Sequence, residues 1–246
     1  MSTKTILSVN ELCVSIAERE IIQNLSVKIL PGEIHFLMGP NGSGKSTLAS
    51  AIMGSPHVRI TGGTVHFNGE DITVSAPEER AKRGLYLGFQ YPAELAGVGM
   101  VTFLRSALAA KGETLSSEEE FRRTTMAPMV ARVGLPEAIL ERNVNEGFSG
   151  GEKKRNEILQ LRILKPKLAI LDEFDSGLDV DGLRAATSVL KEFLTPDRAL
   201  FIITHYGKIV EYVEPHRVHV MVKGRIVESG GKELIGRIED KGYGGL

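Results

Sequence analysis

The first third of the chain alternates short apolar, often β-branched runs with glycine-containing turns. These runs predict β-strands at residues 6–9, 21–22, 25–30 and 34–38. The last strand leads into a glycine-rich loop, after which the apolar positions of residues 47–53 recur at helical spacing. Gly54 is a typical helix stop. The pattern therefore predicts a strand, a glycine loop and a helix in succession.

The rest of the chain falls into two patterns. After two further strands at residues 62–67 and 85–89, helical spacing replaces the strand pattern over residues 103–110, 118–133 and 136–140. Buried-strand and helical patterns then alternate. The predicted helices are 152–164 and 183–193, and the strands are 168–171, 200–203, 218–222 and 225–227. This alternation is typical of an α/β fold with a mainly parallel sheet.

These patterns predict one domain over residues 1–246 with an insertion. Residues 1–90 and 148–246 are expected to form the core, and residues from about 91 to 147 a helical subdomain inserted into it. The glycine-rich residues 241–246 are expected to fray.

The composition narrows the classes of function. The chain has 246 residues, 42% of them hydrophobic, and its 30 basic and 31 acidic residues give a formal net charge of −1. Balanced charge provides no global positive field for nucleic acid, and no stretch approaches the roughly 18 consecutive apolar residues of a membrane-spanning helix. The first five residues lack the apolar core of a signal peptide. We therefore expect a cytoplasmic protein without direct membrane insertion or a nucleic-acid partner.

The cysteine count restricts redox and metal chemistry. Cys13 is the only cysteine, so the chain can form no internal disulfide. Four-thiolate ligation of an iron–sulfur cluster is likewise impossible within one chain. Any such cluster would have to lie on a partner.

Residues 39–46 read G-P-N-G-S-G-K-S, which is a complete phosphate-binding loop. Its small residues let successive backbone N–H groups point at the phosphates. We expect Lys45 to reach the β- and γ-phosphates and the Ser46 hydroxyl to bind the bridging Mg²⁺. The predicted nucleotide-binding residues of this segment are Gly39, Pro40, Asn41, Gly42, Ser43, Gly44, Lys45, Ser46 and Thr47.

An acidic pair follows a second buried-strand pattern. The apolar run 168–171 leads to Asp172 and Glu173 at its carboxyl end, where ligands bind in open parallel sheets. We expect Asp172 to hold Mg²⁺ and Glu173 to polarise the attacking water. His205 follows the strand pattern that ends at Thr204 and is predicted to contact the γ-phosphate, whereas the other histidines are expected to be structural.

The order of these motifs resembles that of ATP-binding-cassette ATPases over nearly the whole chain. Gln90 matches the family's glutamine loop, which senses the γ-phosphate and Mg²⁺, and Ser149-Gly150-Gly151 matches its signature motif. Residues 176–179 match the loop between monomers, in which the resemblance implies that Asp179 binds nucleotide, and His205 matches the switch histidine. The resemblance implies a P-loop NTPase core with an N-terminal antiparallel β portion and an inserted helical subdomain, with ATP and Mg²⁺ as ligands.

The same resemblance implies a mechanism. In this family two cassettes pack head to tail, and the signature of one chain closes over nucleotide held by the other. Gly150 and Gly151 stand at a predicted helix start, where N–H groups and the positive end of the helix dipole form an anion site. Because each glycine motif occurs once, we expect an ATP-dependent homodimer of separate chains. The predicted catalytic residues are Glu173, His205, Lys45 and Gln90.

Details of the motifs resemble one group within the family, the SufC ATPases of the SUF iron–sulfur cluster assembly machinery. Phe148 and Glu152 replace the leucine and glutamine that are usual at the signature. Further matches are F-Q-Y-P at residues 89–92 and L-D-E-F-D-S-G-L-D at residues 171–179. The resemblance implies SufB- and SufD-like soluble scaffold proteins as partners, and residues 90–104 are predicted from their position to dock them.

Two other interpretations share the same phosphate chemistry. The chain could be the ATP-binding subunit of a membrane ABC transporter, with its helical subdomain docked on a membrane partner. It could also be a regulatory or nucleic-acid-associated ATPase, although the balanced charge and the single cassette give this interpretation poor support. Fold-level resemblance alone does not separate these functions.

Overall fold

The computed structural model describes residues 5–204 and 207–245. The chain divides into two compact units. The first unit contains residues 1–90, 166–174 and 194–246, and the second contains residues 91–165 and 175–193. The predicted helical subdomain ended near residue 147, and this boundary stays a prediction.

The elements follow one another in mixed α/β order. The strands are β1 (Leu7–Ile16), β2 (Arg19–Ile29), β3 (Ile34–Met38), β4 (Arg59–Phe67), β5 (Glu70–Asp71), β6 (Leu85–Gly88), β7 (Leu95–Gly99), β8 (Asn143–Val144), β9 (Leu168–Asp172), β10 (Ala199–Ile203), β11 (Arg217–Val222) and β12 (Arg225–Gly230). The α-helices are α1 (Lys45–Met53), α2 (Pro77–Arg83), α3 (Met100–Ala110), α4 (Glu118–Phe121), α5 (Ala127–Arg132), α6 (Gly150–Leu164), α7 (Val180–Phe193) and α8 (Glu233–Lys241).

One sheet of the first unit is antiparallel, with the strand order β2-β1-β4-β5. Strand β1 continues beyond the predicted run 6–9, through an irregularity between Val9 and Leu12 that shifts its register against β2. Glu11 has a φ of 49° at this point, as expected at a bulge. The sheet confirms the N-terminal antiparallel β portion.

The second sheet has the order β12-β11-β3-β10-β9-β6. Strands β11, β3, β10, β9 and β6 are parallel to one another, and only the edge strand β12 is antiparallel, to β11. Every residue of β3, β9 and β10 is buried, as continuous apolar runs predict for a parallel sheet. This sheet confirms the α/β class. It also brings the carboxyl ends of β3, β9 and β6 to one edge.

Helix α1 packs into the core of the first unit. Its Leu48 and Ile52 join a buried cluster that includes Leu37, Ile170 and Phe201. The carbonyl groups at the end of α1 accept hydrogen bonds from the buried guanidinium of Arg80, at 2.9 Å to Ala51 O and 2.8 Å to Ile52 O. This positive charge lies at the negative end of the helix dipole, which stabilises it there.

The second unit contains a two-stranded ribbon, β7–β8, together with helices α3 to α7. The ribbon was not predicted, because β7 is exposed and glycine-containing and lacks an apolar alternation. The predicted helix 118–133 is interrupted by a π turn at Arg122–Met126, next to Pro128. Proline lacks the N–H that a continuous helix would use there.

Candidate nucleotide-binding and hydrolysis site

The glycine loop lies between β3 and α1, at the carboxyl edge of the parallel sheet. The backbone packs so closely at Gly39 that a Cβ atom there would lie 2.1 Å from the carbonyl oxygen of Met221. Helix α1 has Gly44 at its N-cap, and no side chain caps this helix end. The loop therefore meets a helix N-terminus whose N–H groups suit an anion.

The turn between β11 and β12 supports the loop from outside. Gly224 N donates to Ser43 O at 2.8 Å, and Gln23 N donates to Gly224 O at 3.1 Å. This support was not predicted from the sequence. A turn at Lys223-Gly224 between two strands can be predicted from the sequence. Its contact with residues about 180 positions earlier cannot be predicted in this way.

Lys45 lies folded into the loop. Its Nζ donates to Gly39 O at 2.9 Å and to Pro40 O at 3.0 Å, and the residue is only 5% exposed. Burial lowers the pKa of the Lys45 ammonium, while the nearby carboxylates of Glu173 and Asp172 act in the opposite direction. The structure thus brings the lysine and both predicted acids into one electrostatic neighbourhood.

The Ser43 hydroxyl gives a second indication of a ligand. Its Oγ is buried and has no hydrogen-bond partner within the part of the chain that the structure describes. A buried hydroxyl without a partner is unfavourable by roughly 1–3 kcal/mol. A phosphate oxygen in the loop would satisfy it.

The acidic pair lies at the carboxyl end of β9, as predicted. Asp172 ends the strand beside Ile203 of β10 and is 5% exposed. Glu173 has a φ of 48°, a left-handed conformation that is uncommon for a residue other than glycine, and its N–H donates to Ile203 O at 2.9 Å. Strain of this kind is concentrated at functional sites.

Gln90 approaches the same carboxylate. It follows β6, which pairs with β9, and its Nε2 donates to Glu173 Oε2 at 2.6 Å. The structure therefore brings together Lys45, Gln90, Asp172 and Glu173 within the first unit. His205 lies outside the described residues, although Thr204 N, just before it, donates to Leu37 O at 3.3 Å.

The C-terminal segment contributes a residue that the sequence analysis missed. The Tyr243 hydroxyl is buried next to the backbone of Gly39, and burial raises the pKa of this phenol. The expectation that residues 241–246 fray is therefore wrong at this position. A single tyrosine between glycines gives no sequence signal for such a contact.

The signature residues lie in the second unit, at the start of α6. Ser149 is the N-cap. Its Oγ accepts from Glu152 N at 3.3 Å, and the Glu152 carboxylate accepts from Ser149 N at 2.8 Å, which forms a capping box. Hydrogen bonds from the backbone and the side chain of Ser149 lower the pKa of the Glu152 carboxyl. Ser149 and Gly150 are exposed, and a Cβ at Gly150 would meet nothing within 4 Å.

Asp179 also lies in the second unit, where it has a local structural contact. Its Oδ1 accepts from Gly182 N at 2.7 Å at the start of α7. This hydrogen bond is typical of a helix N-cap. The predicted contact of Asp179 with nucleotide stays a prediction.

A phosphate loop with a buried lysine, together with an acid pair at the end of another parallel strand of the same sheet, defines a P-loop ATPase. The chain belongs to the ABC transporter family, whose sequence pattern matches residues 22–176. It binds nucleotide and is an ATPase. Among the described residues, none of the helices combines the length and hydropathy that crossing a bilayer requires.

Similarity to individual relatives supports membership in this family. The chain is 45% identical over 244 residues to the probable ATP-dependent transporter SufC of Escherichia coli, covering 98% of each chain. It is 47% identical over 245 residues to the probable ATP-dependent transporter slr0075 of Synechocystis, covering 98% of this chain and 95% of that one. The resemblance to SufC predicted from the motifs is thus confirmed.

Solved structures agree on the fold. A nucleotide-free ATP-binding cassette from an ABC transporter superposes with a TM-score of 0.76 at 25% identity, covering 96% of each chain. A second cassette, solved as a dimer in a post-hydrolysis state with ADP and phosphate, has a TM-score of 0.79 at 20% identity, covering 92% of this chain and 98% of that one. These likenesses confirm the cassette fold.

Proposed function

We propose that this ATPase works as a head-to-tail dimer whose closure and hydrolysis cycle drives a conformational change in a soluble iron–sulfur cluster scaffold. The exposed start of α6 is the observation that supports the proposed dimer. Ser149 and Gly150 are exposed, and a Cβ at Gly150 would meet nothing within 4 Å, whereas the phosphate loop is supported by Gly224 and Met221. An exposed helix start, which presents the positive end of its dipole and has no phosphate loop in its own unit, suits a γ-phosphate that a second copy presents.

The first unit would hold the triphosphate. Lys45 Nζ, which now donates to two loop carbonyl oxygens, would instead donate to the β- and γ-phosphates. The Ser43 hydroxyl, which has no partner among the described residues, would donate to a phosphate oxygen. The charge of Lys45 is needed for this exchange. The neighbouring carboxylates oppose the effect of burial on its pKa and so favour the charged form.

Mg²⁺ fits the donors that are present. The Ser46 hydroxyl, the Asp172 carboxylate and the Gln90 amide offer oxygen atoms, the ligand type that Mg²⁺ prefers. Sites with one or two carboxylates are typical of Mg²⁺ that is also bound by substrate phosphates. When bound, the ion would neutralise the charge that develops on the phosphate oxygens.

Glu173 would act on the attacking water. Its carboxylate is held by the Gln90 amide at 2.6 Å, and its strained backbone fixes the direction from which it approaches the site. His205 is proposed to contact the γ-phosphate on the basis of the family resemblance.

The scaffold partner is supported by the likeness to SufC over 98% of both chains. A chain with one cysteine cannot supply four thiolates to a cluster, so the cluster would lie on SufB- and SufD-like partners. Their proposed docking region, residues 90–104, exposes Tyr91, Leu95 and Val98 at 83%, 36% and 38%. Apolar side chains grouped in this way are typical of a protein interface.

The substitution Glu173→Gln tests the dimer. We expect the variant to bind ATP, lose hydrolysis and form a dimer only with ATP, because closed dimers accumulate when hydrolysis is blocked. Sedimentation velocity with and without ATP measures this. Glu239→Gln, the same change of charge at an exposed position of α8, is the matched control and should hydrolyse ATP normally. A Glu173→Gln chain that stays monomeric at saturating ATP would contradict the dimer.

A role as the ATP-binding subunit of a membrane transporter is the second candidate, because the family and several relatives are described as transporters. A detergent-free pull-down of the tagged chain from its own cytosol, followed by mass spectrometry, separates the two. Recovery of SufB- and SufD-like scaffolds supports cluster assembly. Recovery of multi-span proteins, and only from solubilised membranes, would leave the ATPase in place and assign it to transport.

A further inference from the structure

Two buried asparagines form an amide bridge in the second unit. Asn145 and Asn156 are 4% and 0% exposed. Asn156 Nδ2 donates to Asn145 Oδ1 at 2.8 Å, and Asn145 Nδ2 donates to Ala93 O, also at 2.8 Å. Three separate segments of the chain are therefore joined through two side-chain amides.

The joined segments are those on which the proposed mechanism depends. Ala93 lies three residues after Gln90 in the chain, within the proposed docking region. Asn145 lies between β8 and the signature, four residues before the N-cap Ser149, and Asn156 lies in the second turn of α6. The bridge thus connects the docking region directly to the helix that starts with the signature.

Two further contacts run alongside the bridge. Leu95 of β7 pairs with Val144 of β8, immediately before Asn145. The Lys153 ammonium donates to the Glu94 carboxylate at 2.7 Å on the surface. Exposed ion pairs contribute little because solvent screens them, so the buried bridge is the stronger constraint on how these segments are aligned.

Two amide side chains are not the most stabilising choice for the buried positions 145 and 156. Asn145 has a φ of 60°, and Asn156 Oδ1 is buried without a hydrogen-bond partner within residues 5–204 and 207–245. Apolar side chains of similar size would leave no buried oxygen unsatisfied. Directional hydrogen bonds, unlike apolar packing, specify one alignment of the joined segments.

We propose that the Asn156–Asn145–Ala93 bridge is a positioning device, which makes the start of the signature helix follow the docking region when that region moves. This role rests on the proposed head-to-tail dimer. Neither asparagine touches the nucleotide in it. They act through the orientation of Ser149 and Gly150, which would meet the γ-phosphate held by the second copy.

Asn145→Gly is the main test, because glycine adopts a φ of 60° without strain while both hydrogen bonds of the side chain are lost. Asn68→Gly is the matched control, since Asn68 has a φ of 52° in a turn of the first unit. Hydrogen exchange of the nucleotide-free chains tests the bridge itself. We expect the amides of residues 149–153 to exchange about tenfold faster in Asn145→Gly than in the unchanged chain. In Asn68→Gly their exchange rates should not change.

The functional consequence is measured by sedimentation in a Glu173→Gln background. We expect Asn145→Gly to weaken ATP-dependent dimerisation about tenfold, while ATP affinity of the single chain stays within about twofold. The double variant Asn145→Gly/Asn156→Ala should lose no more than Asn145→Gly, because both side chains act through one bridge. If Asn145→Gly fails to fold, Asn156→Ala alone is measured with the same expectations.

The outcomes separate the two proposals. If the Glu173→Gln parent dimerises with ATP and Asn145→Gly dimerises equally well, the positioning role is overturned and the dimer stands. If the variant is merely less stable, with unchanged exchange at residues 149–153, the bridge is only structural and the proposal fails. If the parent itself stays monomeric with ATP, the dimer fails, and the role of the bridge in closure fails with it.

Discussion

The two glycine motifs of this chain differ in what surrounds them. At Gly39 a single added Cβ would collide with Met221 O at 2.1 Å, and Gly224 holds the loop at Ser43. At Gly150 an added Cβ would meet nothing within 4 Å, although the helix end is well capped. The phosphate loop is complete within its own unit, whereas the signature is ordered but uncovered. A pre-formed and exposed surface of this kind is what an interface between chains requires.

The largest expected effect comes from breaking each motif separately. Lys45→Ala removes the phosphate-binding ammonium, and Gly150→Asp places a carboxylate at the helix start that would face the partner's γ-phosphate. We expect each variant to lose about 10³-fold in steady-state hydrolysis, because Lys45→Ala removes charge stabilisation of the transferred phosphoryl group and Gly150→Asp places a like charge beside it. Only Lys45→Ala should also lose ATP affinity in a filter-binding assay of the single chain.

Mixing these two inactive variants sharpens the comparison. In a mixed dimer one composite site combines an intact phosphate loop with an intact signature, while the other site contains both defects. Equal amounts of the variants should therefore recover about a quarter of wild-type hydrolysis per chain, given random pairing in a symmetric dimer. Recovery of nothing, with mixed dimers present in native mass spectra, would mean that the signature does not act across chains.

The second prediction compares the same small change at the two glycines. Gly39→Ala should lower the free energy of unfolding by about 3 kcal/mol, because backbone atoms of two strands would have to separate. Gly150→Ala should change it by less than about 0.5 kcal/mol, because the position is open and alanine favours the helix. Urea unfolding measures both. Equal losses would show that the signature is as tightly enclosed as the loop.

The third prediction concerns pH, because the strand that leads to the phosphate loop carries buried titratable groups. His35 Nδ1 lies 3.0 Å from His219 Nε2, Glu33 holds the other nitrogen of His35, and Ser229 contacts His219. His216 and Arg217 are the further charged or titratable groups that act on this pair. Burial, the largest cause, lowers the pKa of His219 to about 4, and burial also lowers the pKa of His35.

The sign of the pH effect follows from these directions. An unfolded chain protonates His219 near its ordinary pKa of about 6.5, so between about pH 6.5 and 4 the unfolded state binds more protons. The stability that neutral His219 provides is complete above that window. About 3 kcal/mol of it is lost as the pH falls through the window.

Urea unfolding at pH 8, 6 and 5 checks this prediction. In His219→Gln the free energy of unfolding should decline less steeply as the pH falls. Some decline should remain, because burial lowers the pKa of His35 in the same direction. An unchanged pH slope in this variant would show that His219 is not the titrating group. The acid effect should act on β3 and β11, which carry His35 and His219, whereas the buried asparagine bridge of the second unit has no corresponding proton to gain.

The sequence predicted those features whose conformation is dictated locally. Residues 39–46 form a loop of fixed type, and the apolar runs of β3, β9 and β10 are buried as predicted. Helix α2 was missed because its one buried side chain is Arg80, which gives no apolar periodicity. The contact of Gly224 with Ser43 was also missed, because it joins residues far apart in the chain.

The smallest expected effect removes the cap of the signature helix. Ser149→Ala should lower the free energy of unfolding by about 1 kcal/mol, because Glu152 N loses its acceptor. Ser117→Ala, at the N-cap of α4, removes a similar hydrogen bond to Glu120 N and is the matched control. The two substitutions should therefore lower the free energy of unfolding by similar amounts. Only Ser149→Ala should also lower the rate of ATP hydrolysis. If Ser117→Ala slows hydrolysis to the same degree, the loss reflects general destabilisation, and Ser149 has no role beyond starting its helix.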